Sequence, residues 1–168
     1  MPTAPSANRD EIREEVVLRA SPGRVRRPLT DCRELVAWWG DPAAYRCTAR
    51  TLDPRVGGRW RAEGTTAQGG AFHVGGEVLE IDPPSTLAYT WEPSWIDVPP
   101  TTVRITLTEA PEGTRLVWRH SGFADYPRAL EHHRGGLPNM LRWLARYVDP
   151  LESPGSRPRS MPGLEEPL

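Results

Sequence analysis

Residues 128–148 read RALEHHRGGLPNMLRWLARYV, and the spacing within this stretch decides the fold. Leu137, Met140, Leu141, Leu144 and Val148 recur at intervals of three and four, which gives a helix one apolar face. Pro138 falls inside that pattern and is expected to kink or restart the helix. The segments before it are different in kind. Six stretches, 46–53, 57–63, 71–82, 86–94, 101–110 and 113–121, carry strand signals. They are separated by turn signals such as Asp53-Pro54, Asp82-Pro83-Pro84, Pro99-Pro100 and Glu112-Gly113. Connections this short favour antiparallel neighbours. A sheet with one apolar face must cover it, and the long helix is the element available to do so.

Working outward, Ile12, Glu14, Val16, Leu18 and Ala20 alternate with polar neighbours and mark a first strand. Ser21-Pro22 then offers a helix cap with proline at the first position. Two short helices fit within 22–39: Pro28 interrupts the first, and Thr30-Asp31 can cap a second that carries Leu35, Val36, Trp38 and Trp39. Gly75-Gly76 inside a strand suggests a bulge that bends the sheet. The expected class is therefore α+β. A curved antiparallel sheet wraps around a long C-terminal helix, two short helices close one end, and a cavity is left between them. Residues 1–11 are expected to be a loose arm, 12–149 the domain, and 150–168 a tail disordered by composition.

Composition narrows the function classes. All 21 basic residues are arginine, so Schiff-base chemistry, the usual pyridoxal-phosphate enzymes and a Walker-type phosphate loop are excluded for want of lysine. Formal charge is -1 with the arginines scattered, which argues against a nucleic-acid or membrane-surface protein. Cys32 and Cys47 show no metal-ligand spacing and are expected to be reduced, so neither a metal nor a cofactor is expected. The first fifteen residues are polar and charged and do not resemble a signal peptide, which makes the cytoplasm the expected location.

Several stretches together resemble the START-like (SRPBCC) superfamily. They are most similar to its branch of homologues of the C-terminal domain of the heat-shock protein 90 ATPase activator. The residues that carry this begin with Ser21-Pro22-Gly23-Arg24-Val25, Pro28-Leu29-Thr30-Asp31, and Leu35 with Trp38-Trp39-Gly40. They continue with Arg55-Val56-Gly57-Gly58-Arg59-Trp60, the run from Gly76 to Pro84, and Leu87-Ala88-Tyr89-Thr90-Trp91. Gly113-Thr114-Arg115-Leu116 and His120-Ser121-Gly122-Phe123 close the set, which falls within residues 14–148 in the family's order. The resemblance implies a helix-grip fold with a pocket between helix and sheet, and no single activity. Two positions depart from the pattern. Pro28 replaces a helix former, and Leu137 stands where tryptophan is common.

Seven tryptophans in 168 residues is a high count, and rings lining an apolar cavity would account for it. The candidate ligand-binding rings are Trp38, Trp60, Phe72, Tyr89, Trp91 and Trp118. Leu137, Met140, Leu141 and Leu144 would face them from the helix. His120 shares a strand face with Leu116 and Trp118 and is the polar candidate for orienting a ligand or acting as a base. Glu77 and Glu80 could serve as acid or base only if buried; the adjacent His132-His133 point about 100° apart on a helix, so they form no i, i+4 metal pair, and they are expected at the surface. The segment from Trp95 to Pro100 could form a lid or a plain hairpin connection.

These features support a small-molecule binding protein with no assigned catalytic residue. The alternatives are a cofactor-independent cyclase, dehydratase or isomerase using His120 or a buried glutamate, and a chaperone-associated stress-response module. The partner expected is a small apolar molecule. A homodimer stays open, a chaperone partner ranks last, and neither nucleic acid nor membrane is expected.

Overall fold

The chain runs as a strand, two short helices, seven further strands and one long helix, in a computed structural model that describes residues 9–150. The first strand, β1 (Glu11–Leu18), buries Ile12 and Leu18 and exposes Arg13, Glu15 and Val17, following the alternation in its sequence. Two helices follow, α1 (Pro22–Thr30) and α2 (Cys32–Trp38). The remaining strands are β2 (Gly40–Asp41), β3 (Tyr45–Leu52), β4 (Arg59–Thr66), β5 (Ala71–Asp82), β6 (Thr86–Pro93), β7 (Thr101–Ala110) and β8 (Gly113–Ser121). The last element is α3 (Pro127–Val148). Among the described residues the strands form one antiparallel sheet in the order β1-β8-β7-β6-β5-β4-β3-β2. Only β2, a two-residue pair with the start of β3, has no counterpart in the sequence reading. The expected arm and tail lie outside the described residues apart from residues 9–11 and Pro150.

The sheet's concave face and α3 share one core. Leu130, Leu137, Leu141, Leu144 and Val148 of α3 are buried there with Trp60, Trp91, Ile105, Leu116 and Trp118 of the strands. Pro138 sits inside α3 and is exposed; the helix continues through it instead of restarting.

The two short helices are tied down through carbonyls at the end of α1. Ser21 caps the start of α1, and Asp31 caps α2 through the Arg33 and Glu34 amides. At the end of α1, the Arg27 carbonyl accepts from the Asp31 amide, that of Pro28 from Trp38 Nε1 at 2.8 Å, and that of Leu29 from Arg50 Nη1 at 2.7 Å. Carbonyls without helical partners thus receive donors from α2 and β3. Among the described residues no carboxylate pairs with Arg50, and burial lowers its pKa. The negative end of α1 compensates part of that cost. Glu34 joins the helices to the end of α3, accepting from Arg24, Arg27 and the Tyr147 hydroxyl.

Gly75 and Gly76 do not make the bulge their sequence suggests. Both stay in register with β4, opposite Arg61 and Trp60. The slip on the other side of β5 falls between Val78 and Glu80, leaving Leu79 as the extra, exposed residue. The glycines are needed for close approach instead. A Cβ on Gly76 would collide with the Thr90 carbonyl, the same oxygen that accepts from Trp60 Nε1 at 3.0 Å. Trp60 therefore reaches past Gly76 to β6.

Two substitutions separate these roles. Gly76→Ala should destabilise the protein by more than about 2 kcal/mol, because backbone and not a flexible side chain stands in the way. Gly135→Ala, in open space in the middle of α3, should stabilise by about 0.5–1 kcal/mol. Urea denaturation of the two variants measures both.

Candidate functional site

Where the sheet curls away from α3, a pocket of about 510 Å³ remains, within the usual range for small-molecule sites. Its rings come from five elements and two loops. Trp39 caps the end of α2, Tyr45 opens β3, and Phe72 opens β5. Trp91 lies on β6, Trp118 and His120 on β8, and Trp95 begins the loop after β6. From α3 come His132, His133, Gly136, Leu137 and Met140, while Thr66 and Gln68 lie near the rim.

Trp91 is the centre of the arrangement. Its ring lies 6.1 Å from Trp39, 5.7 Å from Trp60, 6.1 Å from Trp95 and 5.6 Å from His120. Its indole N–H donates to His133 Nε2 at 3.0 Å. The other nitrogen, Nδ1, is 2.8 Å from the Ala129 carbonyl. A carbonyl only accepts, so Nδ1 carries the proton and Nε2 the lone pair. His133 is therefore neutral, with both nitrogens engaged. Burial is the main cause that lowers its pKa; the Ala129 carbonyl opposes this and His132 adds to it.

His120 is more deeply enclosed. Burial first, then proximity to His133, holds its pKa well below the ordinary histidine value. Its Nε2 is 2.7 Å from the Thr101 hydroxyl, and that hydroxyl also lies 3.4 Å from the Trp91 carbonyl. The polar atom behind this imidazole is thus a hydroxyl, where a histidine base is usually supported by a carboxylate.

Of the residues singled out in the sequence, the structure brings Phe72, Trp91, Trp118, His120, Leu137 and Met140 together around the pocket. Five others lie elsewhere. Trp38 points to α1 through its bond to Pro28, and Trp60 packs behind Trp91 with Tyr89 against its edge at 4.9 Å. Leu141 and Leu144 fill the core. Glu77 is exposed and Glu80 meets Arg104 on the outer face, so the buried glutamate considered as an alternative acid or base is not found at either position. His133 corrects its expected surface placement. It falls three residues after Leu130 and four before Leu137, in phase with the apolar stripe, and that phase was the signal available.

Trp39, Tyr45, Trp95 and His133 join the pocket without having been selected. Trp39 takes the place expected of Trp38 because the latter's N–H is used at α1, while Trp39 Nε1 donates to the Tyr45 hydroxyl at 3.1 Å. Trp95 stands at the mouth, edge-on to Phe72 at 5.7 Å. Among the described residues no group of acidic, cysteine or histidine side chains could hold a metal ion. Nor is any helix among them long and apolar enough to cross a membrane.

Residues 19–149 match the family described as Activator of Hsp90 ATPase homolog 1-like protein. A crystal structure of a Chromobacterium violaceum protein is 29% identical, with a TM-score of 0.69 over 83% of this chain and 98% of that one. The solution structure of an AHSA1-like protein from Aeromonas hydrophila is 18% identical, with a TM-score of 0.71 over 91% and 99%. DynU16, a putative protein in the dynemicin biosynthetic locus, is 22% identical, with a TM-score of 0.65 over 83% of this chain and 47% of its own. No curated protein matches the chain.

The histidines make stability depend on pH. Each imidazole has a lower pKa folded than unfolded, so below about pH 6.5 the unfolded chain binds more protons and gains relative stability. The urea midpoint should hold steady from pH 8 to 7 and fall between about pH 6.5 and 5; a flat profile would contradict the burial of neutral rings. Trp91→Phe, which strands His133 Nε2, should cost about 1–3 kcal/mol at pH 7.5 in the same assay.

Proposed function

The chain belongs to the family of Activator of Hsp90 ATPase homolog 1-like proteins, and on that premise we propose that it binds a small, uncharged aromatic molecule between sheet and helix. The observation that carries this reading is the character of the lining. Six indole, phenol and phenyl rings and three imidazoles surround the pocket, and among the described residues no arginine, aspartate or glutamate takes part. A charged ligand would lose its hydration there without gaining a counter-charge, whereas a flat apolar one would exchange water for ring faces.

The helix facing the pocket supports the same reading. α3 carries Gly135-Gly136 in its middle, a costly choice for a helix interior, and a Cβ at Gly136 would meet nothing within 4 Å. Beside it Leu137 occupies the position where the resembling family commonly has tryptophan. Both features keep volume open. DynU16, of related fold, is a putative protein in the dynemicin biosynthetic locus, and a biosynthetic setting supports a pocket of this kind.

Binding is favoured over turnover by the same residues. His133 has both nitrogens engaged, and His120 has a hydroxyl behind it in place of a carboxylate. Both are shifted away from the basicity a general base needs near neutral pH. A chaperone partner, which the family name suggests, is the weaker reading, because the chain gathers its aromatic rings in the pocket.

Thermal shift and tryptophan fluorescence test the proposal. At pH 8, 2-naphthol should bind one-to-one and quench the indole emission, and at a hundred times its Kd it should add about 2.7 kcal/mol of stability. The 2-naphthoate anion should bind at least tenfold more weakly. Leu137→Trp and Gly136→Phe, which fill the space, should fold and lose 2-naphthol binding. Equal binding of acid and phenol, or binding unaffected by both variants, would overturn the pocket as the site.

A further inference from the structure

The pocket has one deep polar atom that the protein leaves unused. His120 is 5% exposed and lines the pocket, and its single hydrogen bond joins Nε2 to the Thr101 hydroxyl. Its Nδ1 has no protein partner among the described residues. Nor is that nitrogen sealed in the core: the one fully enclosed polar side-chain atom lacking a partner there is Arg50 Nε. The free nitrogen thus keeps accessible surface, and the pocket is the space that His120 lines. Around it stand Phe123 at 4.7 Å, His133 at 5.1 Å and Trp91 at 5.6 Å between ring centres, none with a spare donor or acceptor directed to it. A polar atom on an otherwise apolar pocket wall takes its partner from the ligand or from water.

We infer that His120 Nδ1 is the polar anchor of the pocket, and that it selects ring systems bearing a neutral hydrogen-bonding oxygen, a phenol or a ring ketone, over the bare hydrocarbon. The inference rests on the ligand-binding reading above and adds the chemical class of the ligand's polar group. Thr101 makes the anchor able to accept or donate. When its hydroxyl donates to Nε2 at 2.7 Å, the proton of His120 sits on Nδ1 and the pocket presents a donor suited to a ketone. When the hydroxyl turns to the Trp91 carbonyl at 3.4 Å, Nε2–H donates to Thr101 and Nδ1 presents a lone pair suited to a phenol. Both arrangements keep the 2.7 Å contact, and the second also uses the Trp91 carbonyl. Thr101 is a positioning residue in this scheme, and His120 is the one that touches ligand.

The test compares 2-naphthol with its near-isostere 2-methylnaphthalene by equilibrium dialysis at pH 8, for the full chain and for His120→Phe. The ratio of the two affinities should shift toward the hydrocarbon by roughly tenfold in the variant, because the phenol is then buried without its partner. A ratio unchanged within about twofold, while both probes still bind, overturns the anchor and leaves the pocket reading intact. Failure of both probes to bind the unaltered chain overturns the two together. A second measurement needs no variant. The imidazole 15N resonances of the unaltered protein should show His120 Nδ1 moving on addition of 2-naphthol and staying fixed with 2-methylnaphthalene. Identical responses to the two probes would sink the inference.

Discussion

The hydrogen bond from Trp91 Nε1 to His133 Nε2 is the constraint on which the rest of this site depends. It links the middle of the sheet to the long helix across a ring that touches Trp39, Trp60, Trp95, His120 and His133 alike. The bond requires a neutral histidine with its proton on Nδ1, and the Ala129 carbonyl one turn back along α3 fixes that tautomer. Sheet and helix are thereby held at a set separation by a polar contact. Further along α3, Leu141 and Leu144 close the core, while Gly136, Leu137 and Met140 line the pocket.

Indole N–H groups decide which rings remain available to a ligand. Trp38 is committed to Pro28 and holds α1, while Trp60 is committed to Thr90 and stitches β4 to β6 across Gly76. Trp39 donates to a side chain that itself faces the pocket, the Tyr45 hydroxyl. A buried N–H without an acceptor costs about 1–3 kcal/mol, so these commitments fix ring positions more tightly than apolar packing does. The pocket wall is in this sense a by-product of where acceptors lie.

Most of the fold was legible because its signals are local. Alternation placed β1, three- and four-residue spacing placed α3, and Ser21 and Asp31 announced the two helix starts. The resemblance to START-like proteins assembled these pieces into a sheet around a helix. The site was less legible, since what separates Trp38 from Trp39, or Trp60 from Trp91, is a hydrogen-bond partner distant in sequence. Trp60 and Thr90 are thirty residues apart, and Trp91 and His133 forty-two. The Gly75-Gly76 pair shows the same limit. Its composition announces an irregularity, but only the β4–β5 register shows that close approach of a neighbouring strand, and not a bulge, is the reason. His133 was the residue most open to recovery, because its place in the α3 stripe is a matter of phase alone.

The central claim is that a neutral aromatic molecule occupies the space between Trp91 and the middle of α3. The chain has three methionines, and Met140 alone lies in the domain, on the pocket wall; Met1 and Met161 fall outside the described residues. Methyl-13C labelling of methionine therefore places a probe in the site at Met140. On titration with 2-naphthol the Met140 methyl should shift through the ring current of the ligand and show nuclear Overhauser contacts to its protons. A Met140 resonance that stays fixed under saturating probe would contradict the account.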